Sequence, residues 1–330
     1  MMLSQRNPTT ATDAFLSSIT DARAAGQGDI GVATSSDAFS QYWNPSKYIF
    51  SNQKNSVGVT TIMGNKNSLN GLSQLNVIFA HKLNNRNAYA FGVRNYAQTI
   101  DQFISSGILQ ATQELAIEGS YALRLAEEFA MAVGGRFISL MGKAPLIASF
   151  NGDASVSLYG IDVSGYYHGK EKAYRNYNGR WRAGFNFSNL RGNSLEDNTD
   201  IEIYAPSHLK VGIGFDFIFD PDNLLAITSE YKTLLNSYTE NADGERLNYV
   251  LEGSVAALGL EYSYREKLIT RIGYSHGINR PTDTLASLGL GFDAKYAVVD
   301  VAFLFGLSEE ENPIRQKVRV SLNLNIDDVF

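Results

Sequence analysis

The chain has 330 residues and a formal net charge of −6, with 28 Lys and Arg against 34 Asp and Glu. Cysteine is absent, which excludes disulfides, thiolate metal sites and cysteine nucleophiles. The acidic balance provides no basic surface of the kind that nucleic acid requires, so we expect no nucleic-acid partner. The 18 Tyr, 18 Phe and 29 Gly residues favour strands and aromatic girdles over helix bundles.

The head of the chain does not alternate apolar and polar residues. Residues 1–20 are polar apart from one short apolar patch, and residues 21–47 read DARAAGQGDIGVATSSDAFSQYWNPSK. Residues 26–31 match the pattern G-x-G-x-x-G, but a dinucleotide site needs a buried strand before this pattern and a helix after it. Neither is predicted here. We therefore interpret these glycines as positions that permit a tight backbone path.

From residue 49 onward the chain alternates, which predicts β-strands. Clear examples are residues 115–123, 181–187, 209–219, 258–264 and 318–326. In a soluble β-sandwich the polar positions would carry many Lys and Glu, but here they are largely Gly, Ser, Asn and Ala, with single charges of both signs. An enclosed polar lumen and a lipid-facing apolar surface fit this pattern better than a soluble β-protein. The charged residues at these positions are Arg94, Glu118, Arg136, Lys210, Glu230, Glu261, Arg271, Asp300 and Arg319.

Links of two lengths alternate along the chain, as in outer-membrane barrels with short turns on one side and long loops on the other. The short links are 84–87, 126–128, 220–223, 265–267 and 292–295, with a longer one at 171–177. The long links are 97–112, 142–154, 189–207, 236–253, 276–284 and 306–314. We predict an all-β fold: a transmembrane antiparallel β-barrel of about 14 strands, with an N-terminal hatch that plugs it. Residues 1–330 then form a single domain, with the hatch in 1–48 and the barrel in 49–330.

Two of the predicted external loops carry apolar residues. In residues 99–109 the spacing of these residues is nearly helical, which predicts a short amphipathic segment. Such residues either fold back onto the barrel rim or plug, or form a surface that docks a partner or gates a substrate. We take them as candidate partner-binding residues: Ile100, Phe103, Ile104, Ile108, Leu146, Ile147 and Phe150.

Catalytic and metal-binding patterns are weak. The four histidines have no His or carboxylate at metal-ligand spacing on a helix, and the chain lacks a G-x-S-x-G nucleophile elbow. We expect a non-enzymatic protein with no cofactor and no metal. The first residues are too few for a signal peptide, so an exported protein is expected to have lost its leader.

Residues 37–47, DAFSQYWNPSK, resemble the hatch of FadL-like outer-membrane barrels, whose heads carry an aromatic-Asn-Pro-small element. Trp43, Asn44 and Pro45 match that element. A longer match, from Asp21 to Ser35 and on to Pro45, resembles the PorV family of outer-membrane barrels in the type IX secretion system of Bacteroidetes. The related PorQ barrels share part of this head, so a PorQ-like paralogue remains an alternative.

The resemblance implies a bacterial outer-membrane protein with no catalytic residues, in contact with outer-membrane lipid. PorV-like proteins accept cargo by its C-terminal signal domain at the type IX translocon barrel. They deliver it to the surface attachment complex that contains the PorU sortase. The alternative is FadL-like uptake of a hydrophobic small molecule through a movable hatch. A third possibility is an open porin. The size of residues 1–48, which are predicted to plug the barrel, argues against it.

Overall fold

Alternation of apolar and polar residues becomes a set of long antiparallel strands in the computed structural model. The model describes residues 20–63, 73–100, 110–143, 153–190, 207–235, 238–240, 246–249, 253–278, 284–307 and 318–327. The strands are β1 (Asn55–Met63), β2 (Ser73–Lys82), β3 (Asn87–Ile100), β4 (Gln110–Ala126), β5 (Phe129–Lys143), β6 (Asp153–His168), β7 (Lys172–Ala173), β8 (Asn178–Leu190), β9 (His208–Asp220), β10 (Asn223–Leu234), β11 (Tyr238–Glu240), β12 (Arg246–Tyr249), β13 (Val255–Tyr264), β14 (Leu268–Gly277), β15 (Leu285–Asp293), β16 (Ala297–Gly306) and β17 (Val318–Asn325).

The strands close into a barrel because the first pairs with the last. β1 and β17 pair antiparallel from Ser56 opposite Asn325 to Met63 opposite Val318. Every other long strand pairs with its neighbours in chain order, and β6 pairs with β8 past the two-residue β7. Among the described residues this gives fourteen barrel strands, while β11 and β12 form a hairpin of their own. The predicted fold class is confirmed.

The two faces of the barrel wall differ in the way that a membrane requires. Large apolar side chains point outward and are exposed, for example Phe91 (59%) and Ile272 (57%), while polar and charged side chains of the same strands are buried inside. A soluble monomer rarely exposes a continuous apolar surface of this extent. Along each strand, side chains that face lipid alternate with side chains that face the lumen. The barrel therefore contacts lipid on its outer side and encloses polar groups on its inner side.

Tyrosines gather at the end of the barrel that carries the short turns. Three of them donate their hydroxyl hydrogens to side chains in or beside those turns: Tyr121 to Asn87 Oδ1 (2.7 Å), Tyr167 to Glu128 Oε2 (2.8 Å) and Tyr262 to Asn223 Oδ1. A ring in the apolar zone with its hydroxyl at the polar edge is the arrangement of an interfacial aromatic belt. The turns therefore mark one membrane–water boundary.

Residues 20–50, which we call the N-terminal segment, lie inside the barrel. They form α1 (Ala22–Gly26), α2 (Ser40–Trp43) and a 3₁₀ helix (Pro45–Phe50). Asp21 caps α1, since its Oδ1 accepts from Ala24 N at 2.8 Å. None of the helices in the described ranges is long and apolar enough to cross a membrane. The segment ends five residues before β1, while residues 1–19 lie outside the described ranges, so the division at residue 48 stays a prediction.

Candidate functional site

The Trp43-Asn44-Pro45 element holds the N-terminal segment together. Trp43 Nε1 donates to Asp21 Oδ2 at 2.7 Å, and the Trp43 ring covers Gly31 so closely that a Cβ there would overlap it. Asn44 Nδ2 donates to two backbone carbonyls, Val32 O at 3.0 Å and Gly165 O at 2.9 Å. The second of these belongs to β6, so the element joins the segment to the barrel wall. Pro45 opens the 3₁₀ helix, where a missing N–H costs nothing.

Lumen-facing side chains of the barrel supply hydrogen bonds to the backbone of the N-terminal segment. Glu230 Oε2 accepts from both Gly31 N and Val32 N at 2.8 Å. Asn186 Nδ2 donates to Trp43 O at 2.6 Å, and Arg182 Nη1 donates to Ala33 O at 2.6 Å. Irregular backbone at membrane depth is tolerated only where protein groups satisfy it. These four hydrogen bonds, made by three wall side chains, explain why the non-alternating segment is stable inside the barrel.

One buried ion network links the segment to the C-terminal half of the barrel. Arg23 pairs with Asp37 at 3.0 Å and with Glu261 at 2.8 Å. Glu261 also receives Arg271 at 2.7 Å, and Arg271 reaches Asp300 at 2.5 Å. Each charge has an opposite charge beside it, which is the condition for burying charges at all. The network spans the segment and three strands of the wall.

A second network lies in the wall near the start of the chain. The Glu118 carboxylate is shared by Arg94 and Arg136, the latter at 2.9 Å. Arg136 also contacts Asp162 at 2.9 Å, and farther along the wall Arg182 pairs with Asp216 at 2.7 Å. The predicted enclosed lumen with balanced charges is present in this structure.

Two ionisable groups of the N-terminal segment have perturbed pKa values. Burial, with the Asp37 charge adding to it, raises the pKa of Asp21 to about 6. Burial lowers the pKa of Lys47 to about 8. The Lys47 ammonium has no exposed surface, and it donates to Gly31 O at 2.7 Å and Thr34 Oγ1 at 3.0 Å. Both groups bind within the segment, so we assign them a role in holding its shape.

One of the seven predicted partner-binding residues, Ile100, lies within the described ranges. Ile100 is the last residue of β3 rather than a loop residue, because strand pairing continues as far as Ile100 opposite Gln110. The other predicted residues lie outside the described ranges: Phe103, Ile104, Ile108, Leu146, Ile147 and Phe150. The strand ends that the long links join lie at the barrel end opposite the short turns, as the alternation of link lengths predicted.

Sequence reasoning did not predict several of the ion pairs that line the lumen. Asp162, Arg182 and Asp216 sit at lumen-facing positions, and each is engaged in a buried ion pair. A charged residue between two outward apolar residues was the available signal, but the pairing partner depends on strand register. No group of three or more His, Cys, Asp or Glu side chains in the described parts of the chain could hold a metal ion.

Comparison with solved structures shows a shared fold. The chain is similar to a monoaromatic hydrocarbon channel, the TodX deltaS2S3 mutant, with 12% identity, a TM-score of 0.57 and coverage of 93% of this chain and 99% of that one. CymD, another monoaromatic hydrocarbon channel, gives 14% identity, a TM-score of 0.57 and coverage of 93% and 97%. The toluene transporter TbuX of Ralstonia pickettii gives 14% identity, a TM-score of 0.53 and coverage of 93% and 97%. No curated protein sequence matches the chain.

The family comparison is more specific than the fold. The family model for the type IX secretion system protein PorV matches residues 2–240, which is most of the chain. This range includes the whole N-terminal segment and the barrel strands through β10. The resemblance predicted from residues 21–45 is therefore confirmed over a much longer stretch, and the chain belongs to the PorV family of outer-membrane β-barrels.

Proposed function

We propose that this protein is a non-enzymatic component of the type IX secretion system that carries cargo along the outer membrane. It binds secreted cargo through the C-terminal signal domain as cargo leaves the type IX translocon barrel. It then delivers the cargo to the attachment complex with its PorU-like sortase. The observation that supports this most is the family match over residues 2–240.

The packing of the lumen supports a working surface outside it. The N-terminal segment is buried, and the wall holds it by hydrogen bonds and by the Arg23–Glu261 ion pair. A polypeptide has no wide path through a lumen filled in this way. The long links at one end of the barrel are then the surface on which a partner can bind, and apolar residues in them suit a protein interface.

Deleting the gene tests the role in secretion. Cargo that carries the C-terminal signal should then accumulate unprocessed inside the cell or at the translocon, because no carrier takes it to the sortase. Immunoblotting of cell fractions measures both the processing of cargo and its display on the surface. Normal surface display in the deletion strain would contradict the proposal.

A paired loop variant tests the surface. Phe103→Asp with Ile108→Asp should weaken co-purification of cargo and translocon, since two charges in an apolar interface remain desolvated. The matched control is Leu83→Asp, an exposed (48%) apolar residue in the β2–β3 turn at the opposite end of the barrel. Both proteins should show the change in electrophoretic mobility on heating that is typical of a folded barrel. If the loop variant co-purifies cargo and translocon as well as wild type does, these residues do not bind the partner and only form part of the barrel rim.

The alternative function is FadL-like transport of a hydrophobic small molecule. It is favoured by the fold shared with CymD, a monoaromatic hydrocarbon channel, and with TbuX, a toluene transporter. The test is Trp43→Ala, which removes the ring that covers Gly31 and loosens the segment. Lost uptake of a hydrophobic solute with unchanged cargo display would support transport over secretion.

A further inference from the structure

The barrel wall is taller on one side than on the other. β4, β5 and β6 contain 17, 15 and 16 residues, whereas β15, β17 and β1 contain 9, 8 and 9. A tilted strand needs about 9–11 residues to cross a membrane. All six strands have one end on the side of the short turns, which mark one membrane–water boundary. The extra residues of β4, β5 and β6 therefore project beyond the other boundary, at the loop end.

The projecting part of β6 has a partner strand on one side only. β5 pairs with β6 along its length, from Phe129 opposite Tyr167 to Lys143 opposite Asp153. β8 pairs with β6 only between residues 161 and 168. In the described parts of the chain, no strand pairs with residues 153–160 on the side of β6 that faces β8. We call this stretch the β6 edge, because it is the open edge of a sheet outside the membrane.

The pairing of β6 with β8 ends beside a residue that is fixed in the wall. Asn189 is fully buried and has a left-handed backbone, with φ of +57°. Its backbone N donates to Asp162 Oδ1 at 2.8 Å, and its Oδ1 accepts from Arg136 Nη1 at 2.7 Å. Its carbonyl oxygen accepts from Ser207 Oγ at 2.7 Å, and the register between the two strands shifts at this point. The contacts tie the end of β8 to the lumen, so the β6 edge begins at a defined position.

The hydrogen bonds at the other end of β6 show which backbone groups point to the open side. His168 N donates to Glu128 O on the side of β5, and the next residue, Gly169, donates to Trp181 O of β8. In an antiparallel ladder, alternate residues direct both of their backbone groups to the same neighbour. Odd-numbered residues of β6 therefore direct their N–H and C=O groups to the side of β8. On the β6 edge these residues are Asp153, Ser155, Ser157 and Tyr159.

The sequence of the β6 edge lacks the features that protect edge strands. Residues 153–160 read DASVSLYG, with no Lys, Arg or Pro and with one charge, at the tip. Natural edge strands are usually blocked by charges, by Pro, by bulges or by a covering element. The pairing of β5 with β6 has no bulge in this stretch. A regular row of N–H and C=O groups without such protection is a template for a further strand.

We propose that the β6 edge binds an extended strand of secreted cargo, which adds to the sheet next to β6. The proposal rests on the proposed function, in which cargo binds through its C-terminal signal domain, and it names the surface and the mode of binding. Main-chain hydrogen bonds hold the added strand, and its side chains contribute specificity. Because residues 154–160 are uncharged, we expect an uncharged stretch of cargo opposite them.

A second copy of this chain fits the β6 edge less well than cargo does. Strands of outer-membrane barrels tilt by about 35–45° from the membrane normal. A twofold axis along the normal reverses the direction of the tilt, so two β6 strands would cross at roughly 70–90°, which is twice the tilt. Strands that cross at such an angle do not form a ladder, whereas a cargo strand outside the membrane can align with β6.

Ser157→Pro tests the β6 edge through its backbone. Proline removes the N–H on the open side and places a ring there, while the hydrogen bonds from β6 to β5 remain. The purified full-length barrel is titrated with a cargo protein that carries its C-terminal signal domain. Ser157→Pro should bind this cargo at least about tenfold more weakly than wild type. The matched control, Ser157→Ala, keeps the N–H and should bind as wild type does.

Three outcomes of the titration would contradict the proposal. If Ser157→Pro binds cargo as tightly as wild type, cargo binds elsewhere, and the proposed function stands without the β6 edge. If Ser157→Ala is as weak as Ser157→Pro, the side chain and not the backbone is recognised. If wild type does not bind the cargo, the proposed function fails together with the β6 edge. All variants should show the change in electrophoretic mobility on heating that wild type shows.

Disulfide formation tests strand pairing independently. The chain has no cysteine, so Ser157→Cys supplies a single thiol on the β6 edge. Cargo variants then carry one cysteine each, at successive positions of the signal domain. Disulfides should form at alternate positions of one cargo strand, because side chains on the same face of a strand are two residues apart. Disulfides without this period, or disulfides between two copies of the Ser157→Cys variant in place of cargo, would overturn the proposal.

Discussion

Several buried charges inside this barrel are tolerated because they are paired with opposite charges. Arg271 is the clearest case, since its guanidinium contacts both Glu261 and Asp300 and is almost completely buried. Such a network adds little net stability over an apolar core, because desolvation offsets the attraction. Removing one member of the network destabilises the protein, because the remaining charges stay buried without that partner.

Arg271→Ala should therefore be strongly destabilising. It leaves two carboxylates in the lumen with one fewer counter-charge, at a cost of about 3–5 kcal/mol. The measurement is the midpoint of urea unfolding in detergent or lipid. Arg265→Ala is the control: that arginine is exposed (61%) and pairs with Asp222 at 3.2 Å in a turn, so its loss should cost less than about 1 kcal/mol. Equal effects of the two substitutions would contradict the assignment of a buried network.

Asn44 is a single residue that joins the N-terminal segment to the barrel wall through hydrogen bonds. Asn44→Ala removes the Nδ2 donor from the Val32 and Gly165 carbonyls, which stay buried, and should cost about 2–3 kcal/mol. Faster protease cleavage within residues 20–50 is the expected readout. Asn84→Ala removes a turn asparagine that accepts from Arg86 N and Asn87 N but is exposed to water. That control should leave the cleavage rate unchanged, and unchanged cleavage in both would show that Asn44 does not hold the segment.

At the scale of elements, the N-terminal segment and β14 meet backbone to backbone. Gly28 adopts a left-handed conformation with φ of +84°, and Gly273 of β14 faces the Gln27–Gly28 peptide so closely that a Cβ would overlap it. Here a strand glycine marks close approach of another backbone. The glycine-rich stretch near residue 28 thus permits a tight backbone path against the wall, as its sequence context predicted.

Gly273→Ala should displace the segment from the wall. The clash is with backbone, so it cannot be relieved by a side-chain rotation, and overpacking of this kind costs about 1–3 kcal/mol. Unfolding midpoint and protease sensitivity of residues 20–50 are the measurements. Gly135→Ala provides the control, because a Cβ at this outward-facing glycine of β5 would have no neighbour within 4 Å. A Gly273 variant as stable and protease-resistant as the Gly135 variant would show that the segment does not seat against β14.

Elements of the wall were predictable from sequence because period-2 alternation is a local signal. Glu118 and Arg271 were predicted to face an enclosed lumen, and both do. Their partners were not predictable, since the Arg23–Glu261 contact joins residues 238 positions apart and depends on the register of every strand between. The β11–β12 hairpin was missed for another reason, as its three- and four-residue strands are too short to show alternation.

At the scale of the whole molecule, β1 pairs with β17 to close the barrel, and the N-terminal segment fills its lumen. We therefore propose a separate function for each part of the protein. The outward face meets lipid, the lumen is occupied by the N-terminal segment, and the long links at one end are left for partners. The family match indicates secretion rather than conduction as the context. Binding of cargo at the loop end is therefore the central claim.

Site-specific photo-crosslinking in the native outer membrane tests that claim most directly. A photoreactive amino acid replaces Phe103 in the link between β3 and β4, and in a second strain it replaces Leu83 at the opposite end. The account predicts a crosslink from position 103 to the C-terminal signal domain of cargo, and none from position 83. Absence of cargo from position 103, or equal yields from both positions, would contradict it.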